Sequence, residues 1–189
     1  MATNTYSHSG IGAAVLRLED DKFLRGAGRF VDDIEIPGAL HCHIVRSPYA
    51  HARIRSIDTV DACAATGVVA VFVGADMAAD RVGPMLCMWL VTGVDGKLAV
   101  EPPRWALARG TVRHVGEPLA AVIAQSESEA IDAGEHVIVD YEQLPAVTAS
   151  DAALADGAVQ LHQDAPGNIC FRFARGDSET VAAAFAGAT

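Results

Sequence analysis

The sequence predicts an α+β domain built from short strands and short helices. Two apolar runs, Val68 to Gly74 and Leu119 to Ile123, have the length and side-chain content of buried strands. Glycine and proline interrupt the apolar runs too often for long helices. Capping residues stand in front of several short helical stretches, and this mixture of elements is typical of an α+β fold.

The composition limits the size and the partners of this domain. The chain has 189 residues, of which 51% are hydrophobic and 20% are charged, enough for the core of one domain and part of a second. The formal net charge is -10, which repels phosphate backbones and anionic lipid surfaces, so we expect no nucleic-acid partner.

Cysteine spacing and hydropathy bear on the cellular location. The cysteines at positions 42, 63, 87 and 170 form no C-x-x-C pair, so they predict neither a zinc knuckle nor an iron-sulfur cluster. No run approaches the roughly 20 apolar residues of a membrane span, and the amino terminus lacks the basic flank of a signal peptide. We therefore expect reduced thiols, no membrane span and a cytoplasmic protein.

Three histidines lie close together, at positions 41, 43 and 51. Strand alternation puts His41 and His43 on one face with Val45, and Ser47-Pro48 then ends the strand, so that His51 follows across a turn. Imidazoles so placed could bind a metal ion, but no nearby carboxylate would orient them. We interpret them as polar-face residues of a half-exposed strand, and a metal site remains the weaker alternative.

The other predicted elements follow from turn and cap signals. The first half of the chain adds a strand with Ala52 and Ile54 facing the core, a helix from Thr59 to Ala65 with Asp58 as N-cap and Gly67 as C-cap, and a hairpin between Met85 and Val100 that turns at Asp95-Gly96. The second half adds a helix behind a Ser126–Glu129 capping box, a strand from Val137 to Tyr141, an alanine-rich turn capped by Asp151 and a strand from Ile169 to Phe173. The last predicted element is an amphipathic helix with Val181 and Phe185 on one side. Because that helix runs out without a terminator, we expect the polypeptide to continue beyond residue 189.

No complete catalytic motif is present. The stretches GIGAAV and GAGRFV lack the third glycine and the strand–helix context of a dinucleotide site, and phosphate-loop, serine-hydrolase and zincin motifs do not occur. The pairs Asp20-Asp21 and Asp32-Asp33 are predicted to be surface residues on opposite strand faces. Met85, Met88 and Trp89 could line a pocket, but apolar packing is the commoner use of such residues. We predict no catalytic, cofactor-binding or metal-binding residue.

Five motifs in order carry a resemblance to a known family. They are RLEDDKFLRGAGRFVDDIEIPGALHCHIVRSPYAHARIRSIDT, GVVAVFVGAD, VRHVGEPLAAVIA, VIVDYEQLPAV and DAPGNICF. Together they resemble the amino-terminal region of the molybdenum-binding large subunit of the xanthine dehydrogenase and aldehyde oxidase family, and most of all the aerobic carbon monoxide dehydrogenase-like large chains.

The resemblance implies a fold and a holoenzyme. The fold is an α/β hammerhead domain over residues 16–150, preceded by a flexible lead-in (1–15) and followed by a linker and the start of a molybdopterin-binding domain (151–189). The holoenzyme uses molybdopterin cytosine dinucleotide in the large subunit, with iron-sulfur clusters and FAD on partner subunits, and oxidises carbon monoxide, aldehydes or purine-like heterocycles.

The resemblance assigns no chemistry to this chain, because the family's pterin-binding segments and catalytic glutamate lie downstream of the hammerhead. The motif Gly116-Glu117-Pro118 is interpreted as a strand entry and Glu117 as a structural carboxylate. We expect a structural domain that is not catalytic alone. The alternative is a stand-alone interaction or assembly module without enzymatic activity.

Overall fold

The computed structural model describes residue 11 and residues 17–188, in two compact units that divide between Ala39 and Leu40. Apart from Ile11, the predicted lead-in (1–15) lies outside the described residues.

The first unit contains a short helix, α1 (Asp20–Leu24), and a 3-10 turn (Val31–Asp33). The Phe23 and Phe30 rings stack with their centroids 5.5 Å apart. The prediction that the paired aspartates lie on strands is wrong, because Asp20-Asp21 are in α1 and Asp32-Asp33 are in the 3-10 turn. Their side chains nevertheless remain at the surface, as helical turns without buried residues allow.

The second unit is built on two three-stranded antiparallel sheets, as far as the described residues go. The strands are β1 (His41–Arg46), β2 (Ala52–Asp58), β3 (Val68–Val73), β4 (Thr111–Val112), β5 (Pro118–Ala124) and β6 (Ile138–Gln143). One sheet has the order β1-β5-β3 and the other has the order β4-β2-β6. The predicted α+β class is confirmed, and the runs at β3 and β5 are strands as predicted. β5 is largely buried, whereas β3 contains no fully buried residue, so the prediction of a buried strand is correct only for β5.

Short helices connect and cover these strands. They are α2 (Val60–Ala64), α3 (Gly74–Ala79), α4 (Glu127–Gly134), α5 (Ser150–Ala153) and α6 (Ser178–Ala186). Ser126 caps α4, since its hydroxyl accepts from the Glu129 backbone N–H at 3.3 Å and donates to the Glu129 carboxylate at 2.8 Å. The predicted cap is therefore present, although the carboxylate binds the serine hydroxyl and not the serine backbone.

Strand β5 contributes to both hydrophobic cores. Ala120 and Val122 pack with Ala133 of α4 in one core, while Leu119 packs with Ala52 and other residues in the second. Because successive strand residues point to opposite faces, one continuous apolar strand can serve two cores. This explains why Leu119, at the start of β5, is fully buried.

The two faces of β1 are used differently from the prediction. The histidine face, which we expected to be polar and half-exposed, is the one covered by α4. A Cβ on Gly134 would lie only 2.6 Å from the His43 ring, and Val45 packs against the core on the same face. His43 is therefore a packing residue beneath a helix.

The Asp95-Gly96 turn is confirmed, but the strands flanking it are not. Gly96 has φ +75°, and the Gly93 N–H donates to the Lys97 carbonyl at 2.8 Å. Beyond the turn, pairing is limited to isolated bridges. Residues 169–173 are likewise extended without forming a strand, although the Val100 N–H donates to the Cys170 carbonyl at 2.8 Å. The predicted strand there is wrong because too few bonds join it to the hairpin.

Two predicted caps also differ by one or two positions. Thr59 occupies the N-cap of α2, and the Asp58 carboxylate instead accepts from the Val60 N–H at 3.0 Å. Asp151 lies inside α5, whose N-cap is Ala149. In the part of the chain that the structure describes, no helix is long and apolar enough to cross a membrane.

Candidate functional site

The two compact motifs of the sequence meet in one junction. The Ser47 N–H donates to the Glu117 carbonyl at 2.9 Å, and the Gly116 N–H donates back to the Ser47 carbonyl at 2.8 Å. The Arg46 guanidinium adds a bond to the Gly116 carbonyl at 2.9 Å. Gly116 has φ +86°, a conformation that favours glycine. The junction joins the end of β1 to the start of β5.

Buried side chains stabilise the turn at this junction. Ser47 is only 2% exposed, and its hydroxyl accepts from the Tyr49 N–H at 3.0 Å and donates to the Tyr49 carbonyl at 3.1 Å. The Tyr49 and Tyr141 rings lie 4.8 Å apart. Burial raises the pKa of the Tyr141 hydroxyl, and its hydrogen bond with Ser47 partly opposes that shift. This is the arrangement of a rigid turn.

The Glu117 side chain is turned back onto its own loop. Its carboxylate accepts from the Arg113 backbone N–H and lies 3.6 Å from the His114 Nδ1 atom. Arg113 in turn donates through Nε to the Leu161 carbonyl at 2.8 Å. Burial and the Arg113 guanidinium lower the pKa of His162 below its usual value. These contacts stabilise a loop, in which the Glu117 carboxylate is hydrogen-bonded to the backbone.

The three histidines of the sequence have three different surroundings. His41 is exposed, His43 lies under α4, and His51 is 8% exposed with its Nδ1 atom 2.7 Å from the Pro145 carbonyl. His51 was predicted to lie on a half-exposed face and is instead buried. Among the residues described, no group of three or more His, Cys, Asp or Glu side chains is placed to hold a metal ion. The alternative of a histidine metal site therefore has no geometric support.

A large apolar surface lies on the hairpin between Met85 and Val100. Met88 is 94% exposed and Trp89 is 82% exposed. The predicted packing of Met85, Met88 and Trp89 is therefore wrong within this chain. Trp89 lines an open cavity of about 310 Å³ together with Phe171 and other side chains, whereas Met85 and Met88 face solvent. Exposed apolar surface of this kind marks an interaction site.

A second cavity, of about 320 Å³, lies between β2, β3 and α3. It is lined mainly by apolar side chains, and Arg109 lies at its edge. The Arg109 guanidinium stacks 3.7 Å from the centre of the Trp105 ring and donates to the Val82 carbonyl at 2.8 Å. Its Nε atom is buried without a hydrogen-bond partner among the described residues. The sequence reasoning missed Arg109 because no local motif distinguishes it from a surface arginine.

The comparisons with known proteins agree on one family. The family model for the aldehyde oxidase and xanthine dehydrogenase a/b hammerhead domain matches residues 25–145. The chain belongs to this family. It is 37% identical to the carbon monoxide dehydrogenase large chain of Afipia carboxidovorans, covering 94% of this chain and 22% of the relative.

Solved structures share the same fold. The crystal structure of quinoline 2-oxidoreductase from Pseudomonas putida 86 matches with a TM-score of 0.71 and 39% identity, over 93% of this chain and 21% of that chain. A Cu,Mo-containing carbon monoxide dehydrogenase matches with a TM-score of 0.67 and 34% identity, over 95% of this chain and 23% of that chain. The predicted hammerhead fold is confirmed, and the chain spans about a fifth of the length of these relatives.

The two cavities described above do not fit the molybdenum cofactor that the family implies. A pterin dinucleotide needs several converging donors for its phosphates and rings. Both cavities described above are lined mostly by apolar side chains, and among the described residues the one buried side-chain donor without a partner is the Arg109 Nε atom. These two cavities therefore offer no cradle for the cofactor, and no reaction step is assigned to their lining residues.

Proposed function

We propose that this chain is the amino-terminal domain of the large subunit of a molybdenum hydroxylase. The hammerhead covers residues 16–150, and residues 151–189 lead into a following molybdopterin-binding domain. The holoenzyme is a cytoplasmic oxidoreductase with molybdopterin cytosine dinucleotide in the large subunit and iron-sulfur and flavin subunits as partners. The family match over residues 25–145 carries this proposal.

In this proposal the domain contributes structure and contacts, and it has no catalytic, cofactor-binding or metal-binding residue of its own. The apolar lining of the two cavities described above supports that division of labour. Carbon monoxide and quinoline appear in the names of its relatives. Carbon monoxide, aldehydes and heterocycles are therefore the substrate classes to test on the holoenzyme.

The last helix supports a role inside a longer subunit. Asp177 caps α6, because its carboxylate accepts from the Glu179 N–H at 3.0 Å, and the helix therefore has a stabilised amino-terminal end. Val181 and Phe185 are nevertheless both more than half exposed, and α6 buries no residue. A stand-alone interaction module would be expected to bury this apolar face against its own core. The exposed face therefore favours the subunit-domain proposal over that alternative.

The test is to isolate the native polypeptide that contains these residues and to measure its length and its molybdenum. We expect a polypeptide several times longer than 189 residues that carries molybdenum, whereas the purified 189-residue chain binds none and oxidises no substrate. Stoichiometric molybdenum on the 189-residue chain would overturn the proposed division of labour. A native 189-residue polypeptide bound to other proteins, without molybdenum, would establish the assembly-module alternative.

A further inference from the structure

The sheet β1-β5-β3 carries apolar side chains on both of its faces. Its inner face packs against α4 and α2 through Val45, Val71 and Val122. The register places a second set of side chains on the opposite side, with Ile44 and Phe72 flanking Ala121. Cys42 and Ala70 flank Ile123 one row further along. We call the set Cys42, Ile44, Ala70, Phe72, Ala121 and Ile123 the outer face.

The outer face is not covered within the described chain. Phe72 is 37% exposed, Cys42 is also exposed, and Ile44, Ala121 and Ile123 are partly exposed. The register accounts for the pattern, because paired residues in adjacent antiparallel strands point to the same side. The result is a continuous apolar layer in which the Cys42 thiol is the one ionisable group of the set. Arg46, the next β1 residue on the same side, donates to the Gly116 carbonyl at 2.9 Å.

Such a layer is unusual for a sheet that faces water. An antiparallel sheet with one solvated face normally alternates apolar and polar residues, whereas continuous apolar strands belong to sheets covered on both sides. The same chain follows the first pattern in β2, where Arg53 and Arg55 occupy solvent-facing positions and Arg53 pairs with Glu142 at 2.8 Å. The contrast between β2 and β5 indicates that the outer face is built to be buried.

We propose that the outer face is covered by a segment of the same large subunit that lies beyond residue 189. This inference rests on the proposed function. About four fifths of the length of the relatives lies outside this chain, so enough polypeptide is available to cover it. The outer face carries no charge pair. Permanent contacts resemble a protein core, whereas separately folded partners often rely on charged groups for recognition, so this surface suits a contact within one subunit better.

The chain contains its own reporter for this contact. Cys42 lies on the outer face, while Cys63 lies on α2, which packs on the other side of the sheet, and both thiols are free and exposed. The experiment measures the alkylation rate of each thiol by N-ethylmaleimide, using peptide mass spectrometry. The alkylation rates are measured on the 189-residue chain and on the native enzyme. Each rate is divided by the rate of the same thiol in urea, where the chain is unfolded.

We expect both thiols to react freely in the 189-residue chain, and Cys42 in the native enzyme to react ~100-fold more slowly, because a buried thiol reacts only when the contact opens. An unprotected Cys42 in a long, molybdenum-containing subunit would overturn this inference and leave the proposed function intact. Protection of Cys42 already in the 189-residue chain would show that the chain covers itself, which also overturns it. A native polypeptide of only 189 residues would overturn both.

A pair of neighbouring substitutions gives a second measurement. Ile123→Ser changes the outer face, and Val122→Ser changes the fully buried inner face one position away. Ile123→Ser should lower the urea midpoint of the 189-residue chain less than Val122→Ser does, but it should reduce the yield of folded native subunit several-fold. Val122→Ser should destabilise both forms. Normal assembly of the Ile123→Ser subunit would contradict the proposed contact.

Discussion

Replacing Gly67 with alanine should destabilise the domain through two separable effects. Gly67 follows α2 with φ +75°, a left-handed conformation that costs an alanine about 1–2 kcal/mol. An added Cβ would also collide with the Glu129 carboxylate, whose carbon atom would lie 2.1 Å away. Because that carboxylate ends a flexible side chain, it can move aside, but it then loses the bond from the Ser126 hydroxyl.

The expected loss can be worked from these contacts. A side-chain hydrogen bond contributes about 0.5–1.5 kcal/mol, so Gly67→Ala should reduce the free energy of unfolding by about 1.5–3.5 kcal/mol in total. Gly157→Ala is the matched control, because Gly157 has φ +77° and open space where a Cβ would be. This control should lose only the backbone contribution, about 1–2 kcal/mol.

The assay is urea denaturation of the 189-residue chain followed by far-ultraviolet circular dichroism. A double-mutant cycle with Glu129→Ala separates the two effects, since Gly67→Ala should cost no more than Gly157→Ala once the carboxylate is absent. Equal losses for Gly67→Ala and Gly157→Ala in the presence of Glu129 would refute the collision. Strict additivity in the cycle would refute it as well.

Three further changes test other parts of the molecule. Ser47→Ala leaves the Tyr49 backbone groups without their buried partner and should lower the free energy of unfolding by about 1–3 kcal/mol, measured by urea denaturation. The control is Ser56→Ala, which changes an exposed strand position. Asp177→Ala should speed amide exchange within α6 without moving the global midpoint, because α6 buries no residue; a shifted midpoint would contradict this. Since the pKa of His162 is lowered in the folded state, the free energy of unfolding should fall as the pH drops below the unfolded imidazole pKa of about 6.5. His162→Gln should remove that part of the pH dependence. An NMR titration of the His162 ring measures the pKa directly.

Elements governed by local chemistry were predicted well from the sequence. The runs at β3 and β5 are strands, Ser126 caps α4, and Asp95-Gly96 forms its turn. Each of these features depends on residues within a few positions of one another, such as a hydroxyl reaching a nearby N–H. The family resemblance added the hammerhead fold, which no local pattern contains.

Predictions that depended on distant contacts were less successful. Alternation along β1 separated its two faces correctly, but the position of α4 decided that the His43 face is covered. The extended segment at residues 169–173 has strand-like residues but too few partners to become a strand. Met88 and Trp89 have the composition of core residues and are exposed, because no part of the described chain lies over them.

The sequence by itself determined the strands β3 and β5, the Ser126 cap, the Asp95-Gly96 turn and the family. Only the tertiary structure decided that the Ser47 and Gly116 motifs exchange backbone hydrogen bonds, that His51 binds a carbonyl, and that the sheet has an open apolar side. The physical reason is the range of the interactions. Backbone preference and capping act within one or two turns of chain, whereas burial depends on which distant elements pack against each face.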